Sequence, residues 1–199
     1  MRRYLYILLL ATFTVASCAK DESIPSTSGK NSGVQAKDIV GTWTFEPPKT
    51  EDIVVKGSNA ELTDMVKAQL TIMMNERTPL YLRLDVSFDG GQYCSAVDNV
   101  TYPKTRYQGV YFVCGGRLNA VLNSASEQQS IYGLLEMSAD STLSLNFDED
   151  AYIEFYAQLL KQQQPPGATS DALKTALEKM RADITEIRCP IKLVKKEIE

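Results

Sequence analysis

The chain contains no histidine. Ser-His-Asp and Cys-His nucleophilic catalysis, His-ligated zinc and His-based pH switching are therefore closed to it. Cysteine is scarce, with four residues, and tryptophan occurs once, at Trp43. Positive charge is short as well, with 21 Lys and Arg against 25 Asp and Glu. A nucleic-acid binder concentrates basic residues on one face. Here only Lys192, Lys195 and Lys196 cluster, so nucleic acid is not an expected partner. The longest apolar run, Tyr4 to Ala16, is shorter than the ~20 residues a helix needs to span a bilayer. No paired carboxylates stand at a spacing that advertises acid–base chemistry. These absences predict a non-enzymatic protein with no catalytic residue, no cofactor and no metal site.

The chain does carry an address. Arg2 and Arg3 precede the short apolar run, which ends in Val15-Ala16-Ser17-Cys18. A basic start and a run of this length read as a secretory signal over residues 1–17. Two small residues before a cysteine resemble the lipobox of bacterial lipoproteins. That resemblance implies cleavage before Cys18, which would carry a diacylglyceryl thioether and an N-acyl chain (palmitate or similar). Several acyl chains suffice for stable anchoring where one is marginal. Lys20, Asp21 and Glu22 follow and resemble the surface-export signal of Bacteroidetes lipoproteins. The implied location is the outer membrane, lipid-anchored and exposed at the cell surface. Residues 23–36 are rich in Ser, Gly, Thr, Pro and Asn without apolar period, so 18–36 is expected to be a lipidated cysteine plus flexible tether. Without the leader the net charge becomes about −6, because Arg2 and Arg3 are its only charges.

Residues 37–199 suit a single domain able to bury an ordinary core. Ile39, Trp43 and Phe45 alternate with Val40, Thr42 and Thr44, predicting a strand over 39–46 that Pro47-Pro48 ends. Ser58-Asn59-Ala60-Glu61 has capping-box form, and Leu62, Met65, Val66, Leu70 and Met73 at helical spacing predict a helix over 59–76. Leu80, Leu82, Leu84, Val86 and Phe88 predict a half-buried strand, with a turn at Asp89-Gly90-Gly91 and a short extended run at 92–94. Residues 95–104 read as an exposed loop. Further strands are expected at 106–114, 117–123, 130–137 and 142–147. Asp148 opens a helix whose apolar stripe runs through Tyr152, Phe155, Tyr156, Leu159 and Leu160, and which Gln162 to Gly167 ends. Ser170-Asp171 opens a third helix. The last strand spans 186–195, with Pro190 marking an edge or bulge.

Short strands interrupted by two or three helices define a β-rich α+β domain. Gly41-Thr42-Trp43 resembles the Gly-x-Trp start of lipocalins and other calycins. Phe88-Asp89-Gly90-Gly91, Tyr107-Gln108-Gly109-Val110-Tyr111 and Leu143-Ser144-Leu145-Asn146-Phe147-Asp148 extend the likeness. Together they resemble the lipocalin-like domain of uncharacterised Bacteroidetes lipoproteins. The resemblance implies a calycin-type antiparallel β-barrel of about eight short strands over 37–199. It also implies a Trp closing one end, here Trp43 beside Gly41. An Arg from the last strand should pack on that Trp, a role that falls to Arg188 through a cation–π contact. It implies no reaction.

Other candidates have plain alternatives. Cys94, Cys114 and Cys189 permit at most one internal disulfide in an oxidising compartment. Cys94–Cys189 and Cys114–Cys189 are equally open, as is a set of three thiols. Asp148-Glu149-Asp150 has the acids of a cation site but is already explained as a helix start. Asp140-Ser141-Thr142 resembles the O-glycosylation motif of the same bacterial group, which would place a sugar on Ser141. Tyrosines at 81, 93, 102, 107, 111, 132, 152 and 156 could line a barrel mouth. Two function classes follow: a barrel that binds a small apolar or amphipathic ligand, and a protein-interaction module acting as inhibitor or accessory subunit of an outer-membrane complex.

Overall fold

Alternation of apolar and polar residues governs most of the domain. The computed structural model describes residues 32–77, 79–163 and 170–197, without side-chain detail at 157–163, 170–174, 176 and 177. The leader, Cys18, Lys20, Asp21, Glu22 and most of the tether lie outside the described residues.

The described residues form ten strands: β1 (Gly41–Glu46), β2 (Val54–Gly57), β3 (Leu84–Phe88), β4 (Tyr93–Asp98), β5 (Arg106–Cys114), β6 (Arg117–Asn123), β7 (Gln128–Met137), β8 (Leu143–Asn146), β9 (Ile184–Arg188) and β10 (Pro190–Lys195). Eight of them close into an antiparallel barrel in the order β1-β10-β8-β7-β6-β5-β4-β3, and β3 pairs back to β1. Closure leaves no unpaired edge in the barrel. β2 and β9 form a separate two-stranded sheet. Among the described residues there are three α-helices: α1 (Ala60–Asn75), α2 (Glu149–Gln163) and α3 (Ser170–Asp183). The β-rich domain with a few helices is what the alternation foretold, and the closed antiparallel barrel of eight strands is what the resemblance implied.

Several boundaries differ from expectation, the first being β1, which starts at Gly41 because Ile39 belongs to a 3-10 turn. The helix begins at Ala60, and the cap is Asn59, whose Oδ1 accepts from the Leu62 amide at 3.1 Å. Leu80–Arg83 is a 3-10 turn, with the strand starting at Leu84. Three successive buried residues, Leu80, Tyr81 and Leu82, fit a turn packed on all sides better than a two-faced strand. The strand expected to stop at Cys94 runs to Asp98, so the exposed loop is 99–105. Ser95 and Val97 face outward there while Ala96 and Asp98 are buried. The single last strand is two, broken at Cys189: β9 pairs with β2, and β10 pairs with β1 and β8.

The barrel interior is filled by the inward residues of each strand. Phe45, Leu84, Val86, Phe88, Cys94, Ala96, Tyr107, Tyr111, Leu118, Ala120, Leu122, Ile131, Leu135, Leu145 and Ile191 are each at most 2% exposed. A side chain lining a water-sized space would show exposed area, so this interior is packed rather than hollow. Aromatic edges lock it, with Phe88 against Tyr111 at 4.7 Å and Phe45 against Tyr81 at 5.8 Å. Gly109 permits the tightest approach: a Cβ there would lie 1.7 Å from the Val121 carbonyl oxygen.

The topology gives the barrel two unlike ends. The turns β3–β4, β5–β6 and β7–β8 are short and share one end with the chain entry to β1. The loops 99–105 and 124–127 share the other end with the two long connections, β1 to β3 and β8 to β10. Those connections carry all three helices and the β2–β9 sheet.

Candidate functional site

At the hairpin end, the segment before β1 forms a 3-10 turn, Ala36–Ile39, that delivers Ile39 into the core. Trp43 packs over it, 8% exposed, and its indole N–H donates to the Ile39 carbonyl at 2.7 Å. The cation on the indole is Lys195, whose Nζ lies 5.6 Å from the ring centroid. Lys195 shares the inward parity of Ile191 and Leu193, so β10 carries it over the barrel end. It also lies where a Cβ at Gly41 would meet its Cε at 3.0 Å. Arg188 does not take this role. It sits exposed on β9, opposite Val54, because the chain enters the barrel only after Cys189. The barrel-base set is therefore Gly41, Trp43 and Lys195.

At the helix-bearing end, one inward position is charged. Asp98 is fully buried on β4 opposite Leu84. Its Oδ2 faces Arg83 Nη2 at 3.3 Å, and its Oδ1 accepts the Val100 amide at 2.8 Å. The Tyr107 hydroxyl donates to Glu127 Oε1 at 2.5 Å. Burial, then the bond to Glu127 and the charges of Glu127 and Asp98, push its pKa far up, so it stays protonated as a donor. The Tyr81 hydroxyl is buried without a hydrogen-bond partner among the described residues, and burial likewise raises its pKa. A strand expected to end at Cys94 leaves Asp98 in a loop, whereas β4 runs on to it. Extending the alternation past Ser95 puts it on the buried face.

A second charged cluster joins barrel to helix layer. Arg117 Nη2 lies 2.6 Å from Asp148 Oδ2 and 3.0 Å from Asp150, and Nη1 donates to Asp148 Oδ1 at 3.2 Å. The guanidinium stands 5.8 Å from the Tyr132 ring centroid. Asp148 Oδ1 also accepts the Ala151 amide at 3.1 Å, as a helix cap does. Glu149 Oε2 accepts from the Ile187 amide at 3.3 Å. The acids 148–150 are thus committed to an arginine and to backbone amides, of which the Asp148–Ala151 bond is the helix cap and Arg117 a partner the sequence did not indicate. Burial raises the Asp148 pKa against the pull of Arg117. Tyr152 closes the layer, its hydroxyl donating to Gln69 Oε1 of α1 at 2.6 Å.

Cys94, Cys114 and Cys189 are free thiols. Cys94 lies opposite Gly109, and Cys189 in the break between two sheets, so the fold does not bring a pair together. Burial pushes the thiols of Cys94 and Cys189 up to about 12, and the Asp89 charge adds to this at Cys94. Neither is a ready nucleophile at neutral pH. Ser141 is exposed in the β7–β8 turn at φ 64°, where Ser138 and Asp140 bond across the turn. Of the tyrosines, 81, 107, 111 and 152 are buried, 132 and 156 half-buried, and only 93 and 102 are exposed. They are core and wall residues more than the lining of a mouth.

Among the described residues no three His, Cys, Asp or Glu side chains are grouped to hold a metal ion. No helix among them is long and apolar enough to cross a membrane. Compared with protein-family models, curated proteins and solved structures, the chain finds no match.

Proposed function

We propose that the protein is a non-enzymatic, lipid-anchored cell-surface lipoprotein of calycin type whose barrel is a solid pedestal for binding another protein. The packed interior carries this reading. Tyr107, Tyr111, Phe45 and Phe88 occupy the volume that a small apolar ligand would need. The calycin assignment is supported by Gly41-Thr42-Trp43 on the first strand and by a cation from the last strand on the indole. The anchor rests on Val15-Ala16-Ser17-Cys18, and export on Lys20-Asp21-Glu22.

Exposed apolar residues at the helix-bearing end favour a protein partner over a buried ligand. Tyr102 and Val100 stand out from the 99–105 loop at 101% and 66% exposure, and Met65 and Ile72 lie one heptad apart on α1. Aromatic and Met side chains are enriched at interface cores. The test is a photo-crosslinking residue at 102, with 108 on the barrel wall as control, in cells making the full chain. A discrete protein adduct from 102 and none from 108 is expected. No adduct from 102, with a small molecule retained in the native mass of the purified protein, would return the function to ligand binding.

A further inference from the structure

The loop that lifts Val100 and Tyr102 off the barrel is closed on itself. At its base the Asp98 amide donates to the Thr105 carbonyl at 2.9 Å. Within the ring, Thr101 Oγ1 accepts the Thr105 amide at 3.0 Å and donates to Thr105 Oγ1 at 3.2 Å. Asp98 Oδ1 holds the Val100 amide, and Asn99 Nδ2 donates to Asp85 Oδ2 on the neighbouring strand β3. Tyr102, Pro103 and Lys104 form the tip, all exposed. A loop already ordered by its own bonds loses little conformational freedom when a partner docks on it.

Charge is uneven around that tip. The carboxylates of Asp85, Asp98 and Glu127 are all engaged: Asp85 by Lys196 at 2.6 Å, Asp98 by Arg83 at 3.3 Å, and Glu127 by the Tyr107 hydroxyl at 2.5 Å and the Gln129 amide at 3.2 Å. Lys104 at the tip and Arg106 at the start of β5 are different. Both are exposed, and neither pairs with a carboxylate among the described residues. Arg106 points outward because its neighbour Tyr107 takes the buried face of β5. An exposed tyrosine and two open cations thus share one short stretch, 102–106, of a chain whose formal net charge is −4. Such a chain repels an acidic partner over most of its surface and attracts it where cations stand unmatched.

Building on the protein-binding reading above, we propose that this loop recognises an acidic segment of the partner protein. Tyr102 and Val100 pack against apolar side chains of that segment, and Lys104 and Arg106 pair with its carboxylates. Asp98 and Asp85 hold the loop in shape without repelling the segment, because Arg83 and Lys196 match their charges. Two open cations are too few for a nucleic-acid face. Tyrosine and arginine together are what anchors a protein interface.

The experiment uses cells making the full chain with an aromatic photo-crosslinking residue at 102, and the peptide attached to it is sequenced by mass spectrometry. That peptide is expected to carry Asp or Glu on both sides of the attachment point. Lys104→Glu and Arg106→Glu should each lower the adduct yield about fivefold. Lys37→Glu, the same charge change at an exposed site of the hairpin end, should leave it unchanged. The urea midpoint of each variant is compared with that of the parent. Where a reversal shifts it, Lys104→Gln and Arg106→Gln carry the comparison, with a smaller loss in the same direction. A protein adduct whose attached peptide lacks acids, or whose yield ignores the charge at 104 and 106, would overturn the acidic-segment inference and leave protein binding standing. An adduct to an anionic glycan instead of a protein would overturn it as well. No adduct from 102 in the parent would remove the protein-binding reading and this inference with it.

Discussion

The two ends of the barrel are built on different economies. The hairpin end is made of short turns, a 3-10 turn and one indole, and two of its polar groups are satisfied within the same few residues: Trp43 by Ile39 and Gly91 by Asp89. The helix-bearing end is made of long connections and carries the buried pair of Arg83 with Asp98, while Arg117, at the start of β6, reaches 31 residues along the chain to Asp148. Local satisfaction makes a rigid base that tolerates change one contact at a time. Long-range charge pairing makes a layer that depends on a few contacts, each costly to break, because a charge left alone in the interior cannot be hydrated.

The largest effect is expected where the two constructions meet. Arg117→Met leaves Asp148 buried without its cation and should lower unfolding free energy by about 3–5 kcal/mol in urea denaturation. At the hairpin end, Trp43→Phe removes the donor to the buried Ile39 carbonyl and should cost about 1–2 kcal/mol in the same measurement. If the two losses were equal, the distinction between the ends would fail.

Asp85 sharpens the comparison through pH. Burial alone would raise its carboxyl pKa. Bonds from Lys196, Thr44 and Asn99, with the Lys196 charge, bring it below the ordinary value. A depressed folded pKa gives stability that is present above the unfolded value of about 4 and is lost as pH falls through the folded one. Asp85→Asn should therefore be less stable than the parent at neutral pH, and the gap should close in acid. A gap independent of pH would mean that packing, not charge, holds Asp85. The smallest effect belongs to the cation on the indole. Lys195→Met should cost about 0.5–1 kcal/mol, and Arg188→Met, exposed on β9, less than that.

Much of the barrel was legible because burial on one face imposes period two. Leu84-Val86-Phe88 and Leu118-Ala120-Leu122 could be read as strands from their spacing alone. What could not be read depends on contacts distant in sequence. Arg188 and Lys195 are both basic residues near the end of the chain, and only the break at Cys189 shows which one reaches Trp43. β2 is four residues long and half-exposed, with no alternation to mark it. Its strand character comes from pairing with β9. Asp98 looked like loop because a charge on the inward face contradicts the pattern until its partner Arg83 is known. Helix starts were more visible, since Asn59 and Asp148 bond to amides only three residues away.

The central claim is that the barrel is solid, and titration of the native protein with a fluorescent fatty-acid probe tests it directly. The packed core of Phe45, Phe88, Tyr107 and Tyr111 predicts no saturable binding in the parent chain, and the appearance of binding only when Tyr111→Ala opens a cavity. Stoichiometric binding to the unmutated barrel, relieved by unlabelled fatty acid, would contradict it.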